Sequence, residues 1–532
     1  MQAKWGMQGM AVAPHSLAAE SALAILKEGG NALEALVAAA ATIAVVYPHM
    51  NSIGGDSFWL IHSPGKAIGG IDACGAAAGL ATRQWYFDRG VTEAIPFRGP
   101  LAANTVAGTI SGWGAAQRLS QNCLAGKLPL TRLLADSIYY AENGIPVTHS
   151  QSSLTTKKLK ELSPQPGFAQ TFLVQGKAPK TGSIFKQTRL AKTLRRIAQF
   201  GTEDYYQGAL AKNIAQELKE LDSPLRLADL QRHQAKLIDP LQLQHSLGKV
   251  YNMTPPTQGV VSLMILGILD RLDLKRFKLD SAEYVHHCVE ATKQAFKIRD
   301  QYITDPAYMQ RNPQSFLQPQ FLQTLANAIN PIKALPWGQG KGPADTIWMG
   351  VVDKHGCCVS FIQSIYHEFG AGIVLPTSGI NWQNRGCSFS LNPASLNALE
   401  PLRKPFHTLN PALALFKNGR SMVYGTMGGD GQPQTQCAIF TRTALYGLDP
   451  QEAISRPRWL LGRTWGQTSD SLKLEARFDP LVIAELAARG HEIEILSDFD
   501  ETVGHAGCII RDPSGILRGG WDPRSDGGVA AY

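Results

Sequence analysis

Apolar positions along the chain switch between helical and strand spacing, and each switch predicts an element. In SLAAESALAILKEGG, from residue 16, small and aliphatic side chains recur at helical spacing; Ser16 reads as the N-cap and Gly29-Gly30 as the stop. Asn31 can cap a second helix running to Tyr47. Its ALVAAAATIAVVY stretch is apolar on every side, so it reads as a buried helix, and at thirteen residues it is too short to span a bilayer. Beyond Pro48, HMNSIGGDSFWLIHS reads as a glycine-rich turn feeding a strand; Asn51 to Asp56 either underlies a functional site or is a tight turn that needs Gly54 and Gly55 for backbone reasons. GKAIGGIDACGAAAGLATRQWYF returns as a strand and a helix. Residues 110–330 read as mostly helical and structural, as in AEYVHHCVEATKQAFKIRDQYI. IWMGVVD and CCVSFIQSI are β-branched and aromatic enough to be strands, and Lys354-His355-Gly356 between them reads as a hairpin turn. Counting back from that turn sets Thr346 opposite Gln363 or Ser364, depending on a bulge, which makes the Ser364 hydroxyl a candidate partner for the Thr346 side chain.

Thr346 lies at the mouth of a strand, behind the Gly/Pro-rich GQGKGPAD. A precursor could cut itself there and expose a new amino terminus, so Thr346 is the candidate nucleophile. Composition adds that 532 residues, 44% apolar and 18% charged, suffice for a substantial core. The net charge of +8 is scattered, with no dense basic run, which favours small anions over nucleic acid as ligands. The eight cysteines show no CxxC spacing, and adjacent Cys357 and Cys358 should point to opposite faces of a strand, so buried reduced thiols are expected. The first residues lack the basic-then-apolar order of a secretory signal, which predicts a cytoplasmic protein with no membrane association. His286 and His287 are adjacent on a helix, about 100° apart, with no accompanying ligand spacing, so no metal is expected. The TPPTQG turn at 254–259 has two readings: a loop near a functional site, or a rigid turn made by its prolines and glycine with no chemical role.

PADTIWMGVVDKHG, SGINWQNRGCSFS, KPFHTLNPALAL, YGTMGGDGQPQTQ and WDPRSDGG occur in the order in which a γ-glutamyltransferase-like protein carries its counterparts. PHMNSIGGDSFWLI, GLATRQWYF, TVAG and TPPTQG fit upstream. The chain resembles that family over nearly its whole length. The resemblance implies an N-terminal nucleophile (Ntn) hydrolase of class α+β, a four-layer αββα sandwich formed as one interwoven unit. It also implies self-cleavage of the Asp345-Thr346 bond, giving a large subunit of residues 1–345 and a small one of 346–532. The fragments would form a heterodimer, with a dimer of heterodimers as the larger assembly. Thr346 Oγ would attack an amide; its freed α-amine, ordinarily titrating near 8, would be the base. Gly428 and Gly429 would supply the oxyanion hole, where backbone without side chains lets N–H groups approach closely. Because nucleophile and base sit on one residue, no cofactor is implied.

By the same resemblance Arg83 matches the arginine that grips a substrate carboxylate, a role suited to a planar fork of donors. The positions where transpeptidases bind the γ-glutamyl amine are here Tyr366, Arg385 and Ser388, so a cation replaces groups that favour an ammonium. Their serine pair appears as His407 and Thr408, the lid segment is short between Leu391 and Lys404, and Asn384 precedes Arg385. NRG followed by SFS, KPFHTLNPA and GGDGQPQ resemble the branch of the family that hydrolyses oxamate, a cytosolic activity tied to purine and allantoin degradation. The substrate expected is therefore a small anionic amide, oxamate first, bound by Arg83, Arg385, His407, Thr408, Tyr366 and Asn384. One alternative is a γ-glutamyl hydrolase or transpeptidase acting on glutathione-type substrates, with Asp430 recognising the amine. The other is an uncleaved scaffold, for which Asp345 and Ile347 flanking Thr346 are the support.

Overall fold

A computed structural model of the chain describes residues 2–338, 345–463 and 469–532. Two seven-stranded antiparallel sheets face each other. One runs in the order Lys4–Gly6, Leu517–Trp521, Ala506–Arg511, Ser421–Thr426, Ala412–Phe416, Gly248–Asn252, Leu241–His245. The other runs Gly528–Ala531, Gly9–Ala13, Asp345–Asp353, Cys358–Tyr366, Asp56–His62, Gly69–Ala73, Lys236–Ile238. Each sheet combines strands from both sides of residue 345.

Alternation along the strands builds three cores. Trp348, Ile362, Phe58, Val423 and Ile509 fill the space between the sheets. Ile347, Met349 and Phe361 point the other way, into a core roofed by the helices Ser16–Lys27 and Ala32–Val46. A third core lies beneath Gly259–Leu269, Ala282–Tyr302 and Gly431–Phe440. The layers are therefore helix, sheet, sheet, helix: the expected αββα sandwich of class α+β. Each face is covered by a helix buried on all sides, Ala32–Val46 on one and Gly259–Leu269 on the other.

Asn31 caps its helix as expected, in a capping box with Glu34. Ser16 does not cap; it opens the helix, and His15 precedes it with its ring accepting from the Leu17 N–H at 3.3 Å. Residues 110–330 are less uniformly helical than expected, since three strands from Lys236 to Asn252 extend the two sheets. All eight cysteines are free and six are buried, whereas Cys123 is exposed and Cys387 partly so; Cys357 and Cys358 enter different cores, as their adjacency requires. No described helix is long and apolar enough to cross a membrane.

Candidate active site

The strand Asp345–Asp353 pairs with Cys358–Tyr366 as a hairpin, but the register slips between Asp345, which faces Tyr366, and Ile347, which faces Gln363. This is the bulge on which the position of Thr346 depended. The Thr346 hydroxyl donates to Ser364 Oγ at 3.3 Å, and the Tyr366 N–H donates to the same oxygen at 2.8 Å. Because side chains alternate, Thr346 shares the inter-sheet face with Trp348, and Ser364 shares it with Ile362. Asp56 lies directly across from Ser364 in the next strand, on the face of Phe58. Thr346, Ser364 and Asp56 thus cluster at one end of the inter-sheet space, all buried. Of Asp345, the backbone alone is described.

Across that space, Ser421–Thr426 passes so close to Trp348 that a Cβ on Gly425 would sit 2.1 Å from the indole. The chain then turns through Gly428 (φ +110°) and Gly429 (φ +51°) into the helix Gly431–Phe440. Only glycine takes such angles without strain. The turn is held from behind by Gln258, which sequence reasoning singled out only as part of the TPPTQG loop, and by Arg299, which it missed. Gln258 Nε2 donates to Gly429 O at 2.8 Å and to Thr408 O at 3.0 Å. Arg299 Nη1 donates to Gln258 Oε1 at 3.3 Å and is paired with Asp430 Oδ1 at 2.9 Å. The signal for Arg299 was its place in the stripe Cys288, Thr292, Ala295, Arg299, where a charge on a buried helix face requires a partner. In that pair the Asp430 carboxylate faces a buried arginine through Oδ1.

Arg385 is 1% exposed. Its guanidinium lies 3.9 Å from the centroid of the Tyr366 ring, and none of its three nitrogens has a hydrogen-bond partner among the described residues. Both His407 ring nitrogens and Thr408 Oγ are buried and likewise without one. Tyr366 takes φ +81°, unusual for a residue with a side chain. Asp56 closes the group. Its Oδ1 accepts the N–H groups of Gly75 and Gly108, both at 3.0 Å, and its Oδ2 is 3.5 Å from His407 Nε2. Burial pushes the Asp56 carboxyl up to about 7 despite those amides and the nearby Arg385 charge. Burial also drives His407 well down, with Arg385 and Lys404 adding to the effect.

Two expected binding residues stand apart. Both polar atoms of the Asn384 side chain are engaged: Oδ1 accepts the His367 N–H at 3.1 Å and Nδ2 donates to Phe97 O at 2.8 Å. Asn384 therefore braces the loop that carries Arg385. Arg83 is half-buried at the start of the short helix Arg83–Phe87, and its side chain makes no hydrogen bond or ion pair among the described residues.

The expectation that no ligands accompany His286 is corrected. Glu290, one turn on, and His491, distant in sequence, lie beside it in an arrangement that could hold a metal ion. His286 Nδ1 is 2.9 Å from His491 Nε2, but the Lys293 ammonium donates to Glu290 Oε1 at 2.7 Å and occupies the carboxylate's side of the group.

The sequence matches the family model described as gamma-glutamyltranspeptidase over residues 18–532. It is 59% identical to an oxamate amidohydrolase proenzyme of Klebsiella pneumoniae over 524 residues, covering 98% of both chains. Identity is 40% to a glutathione hydrolase-like YwrD proenzyme of Bacillus subtilis, again covering 98% of each. Among solved structures, the cephalosporin acylase of Bacillus halodurans superposes with a TM-score of 0.90 at 32% identity, covering 100% of this chain and 97% of that one.

Proposed function

Because the chain belongs to the gamma-glutamyltranspeptidase family, we propose that it is a self-processing Ntn amidohydrolase that converts oxamate to oxalate and ammonia. The Asp345-Thr346 bond breaks first, leaving residues up to 345 and from 346 onward as the two subunits of a heterodimer. Thr346 Oγ then attacks the amide carbon of oxamate while the new α-amine takes its proton. The oxyanion sits at the Gly428–Gly429 turn, the proton passes to the leaving nitrogen, and ammonia departs. Water attacks the remaining oxalyl ester by the same route, releasing oxalate and restoring the hydroxyl. Ser364, hydrogen-bonded to Thr346, orients the nucleophile.

The observation that carries the substrate is the state of Arg385. A guanidinium that is wholly buried, laid on the Tyr366 ring and without a hydrogen-bonded partner among the described residues is prepared for an anion. His407 and Thr408, also unpartnered, add donors beside it. Oxamate carries its carboxylate directly on the amide carbon, so one small site can hold both ends. A γ-glutamyl substrate would bring an ammonium to the same place, where like-charge repulsion costs about 4 kcal/mol at roughly 4 Å.

The test is ammonia release from oxamate by the purified, cleaved protein, beside γ-glutamyl-p-nitroanilide as the competing substrate. Arg385→Gln should raise KM for oxamate about 30-fold or more, the loss of a charged hydrogen bond worth about 2 kcal/mol, while cleavage proceeds. Turnover of the γ-glutamyl anilide in place of oxamate would refute the reading.

A further inference from the structure

Asp56 has no part in the chemistry above, yet it is buried beside the nucleophile's hydrogen-bond partner and aimed at the anion site. In the strand pairing it stands directly opposite Ser364. Its Oδ1 is fixed by two backbone amides, and its Oδ2 has His407 Nε2 before it at 3.5 Å, with the Gln383 side chain also beside the carboxylate. His407 in turn packs edge-on against Phe58, two residues along the same strand, with ring centroids 5.0 Å apart. The ring is thus held so that one nitrogen meets Asp56 while the other is available to a ligand lying beside Arg385 and Thr408.

An anion bound at Arg385 would change the charge balance around Asp56. Arg385 is the cation that supports an ionised Asp56, and each lies close enough to influence the other's proton affinity. A substrate carboxylate placed on Arg385 cancels that support. Asp56 would then be a second buried anion without a counter-charge, the circumstance in which a carboxyl takes a proton.

We propose that Asp56 is the positioning residue of the anion clamp, acting through His407. When a carboxylate substrate pairs with Arg385, the Asp56–His407 couple takes up one proton from solvent, and His407 donates to the bound carboxylate from its other ring nitrogen. The proton returns to solvent when the product leaves. This rests on the reading of Arg385 as the substrate-anion site.

Among the side chains around the anion site Asp56 is the group poised to respond; the freed Thr346 amine also titrates near neutrality, and the Asp56→Asn variant separates the two. Burial raises the proton affinity of Cys74, Tyr205 and Tyr206 far above neutrality, so they stay neutral. Lys404, which also faces His407, is tied to Asp72 at 2.6 Å and stays charged, as does Arg385. Asp56 itself titrates at about 7, where substrate can tip it. The sign follows: below that value the couple already carries its proton, and above it each binding event must supply one. Affinity therefore falls as pH rises.

Calorimetric titration of the cleaved enzyme with oxalate, in two buffers of different ionisation enthalpy, reads proton uptake directly. About one proton per site is expected at pH 8, falling towards none at pH 6. In kinetics, KM for oxamate should rise about tenfold per pH unit above 7. Asp56→Asn keeps an oxygen for the two backbone amides and offers His407 a permanent N–H. It should hold KM near its low-pH value across the range and abolish uptake, whereas Asp56→Ala, which loses both contacts, should raise KM throughout. Binding without proton uptake, or an Asp56→Asn enzyme with the wild-type pH profile, would overturn the coupling and leave the substrate assignment standing. No binding of oxalate or oxamate at any pH would remove the substrate assignment itself.

Discussion

Thr346 and Ser364 share one hydrogen bond, yet their removal should be felt at different steps. Thr346→Ala has no nucleophile for either reaction, so a single uncleaved chain on a denaturing gel, with no ammonia from oxamate, is expected. Ser364→Ala keeps the nucleophile and loses the group that aims it. Its cost of about 1 kcal/mol should appear as a fall of about fivefold in kcat and in the rate of cleavage, with KM little changed. Both residues were legible in the sequence because a hairpin is local: the turn at Lys354-His355-Gly356 fixes which residues face each other, and one bulge settles the last step. Asp56 and His407 were not legible as a pair, since nothing in a sequence specifies which of two distant segments will meet across a sheet face. His15 displaced Ser16 as a cap for a smaller reason. Both can accept from an N–H near a helix start; here the backbone of His15 and Ser16 is held against Asp526, and the His15 ring accepts from Leu17.

At the scale of elements, the helix Ala282–Tyr302 does more than cover a sheet. Through Arg299 it reaches Asp430 and Gln258, the two side chains bracing the glycine turn proposed to hold the oxyanion. Arg299→Met should leave Asp430 as a buried charge without its arginine, at about 3–5 kcal/mol of stability. Because Gln258, which Arg299 holds, braces both the glycine turn and Thr408 of the anion clamp, kcat should fall and KM for oxamate should rise; thermal unfolding and steady-state kinetics on the same preparation check both halves. The Gly-Gly turn could be read from its composition alone, whereas its bracing could not. Gln258 lies in a loop whose prolines and glycine could also explain it, and Arg299 in a stretch whose helical period drew attention away from the one charge on its inner stripe.

At the scale of the whole molecule, both sheets interleave strands from either side of residue 345, with Asp345–Asp353 hydrogen-bonded to Gly9–Ala13 on one edge and to Cys358–Tyr366 on the other. After cleavage the fragments should elute together from a sizing column in buffer and part only in denaturant, because separating them means dismantling both sheets. The αββα layering was expected from motif resemblance, while strand order and the three strands from Lys236 to Asn252 emerged from packing. Threading the chain this way also brings its described ends together: the Met7 and Gln8 N–H groups both donate to the Tyr532 carbonyl at 2.9 Å. A gene rearranged to begin at codon 346, with a short flexible bridge from Tyr532 back to the old beginning, would encode the same neighbours in a new order. Once its initiator methionine was trimmed, such a circular permutant would leave the ribosome with the threonine amine already free, separating the capacity for catalysis from the capacity for self-cutting.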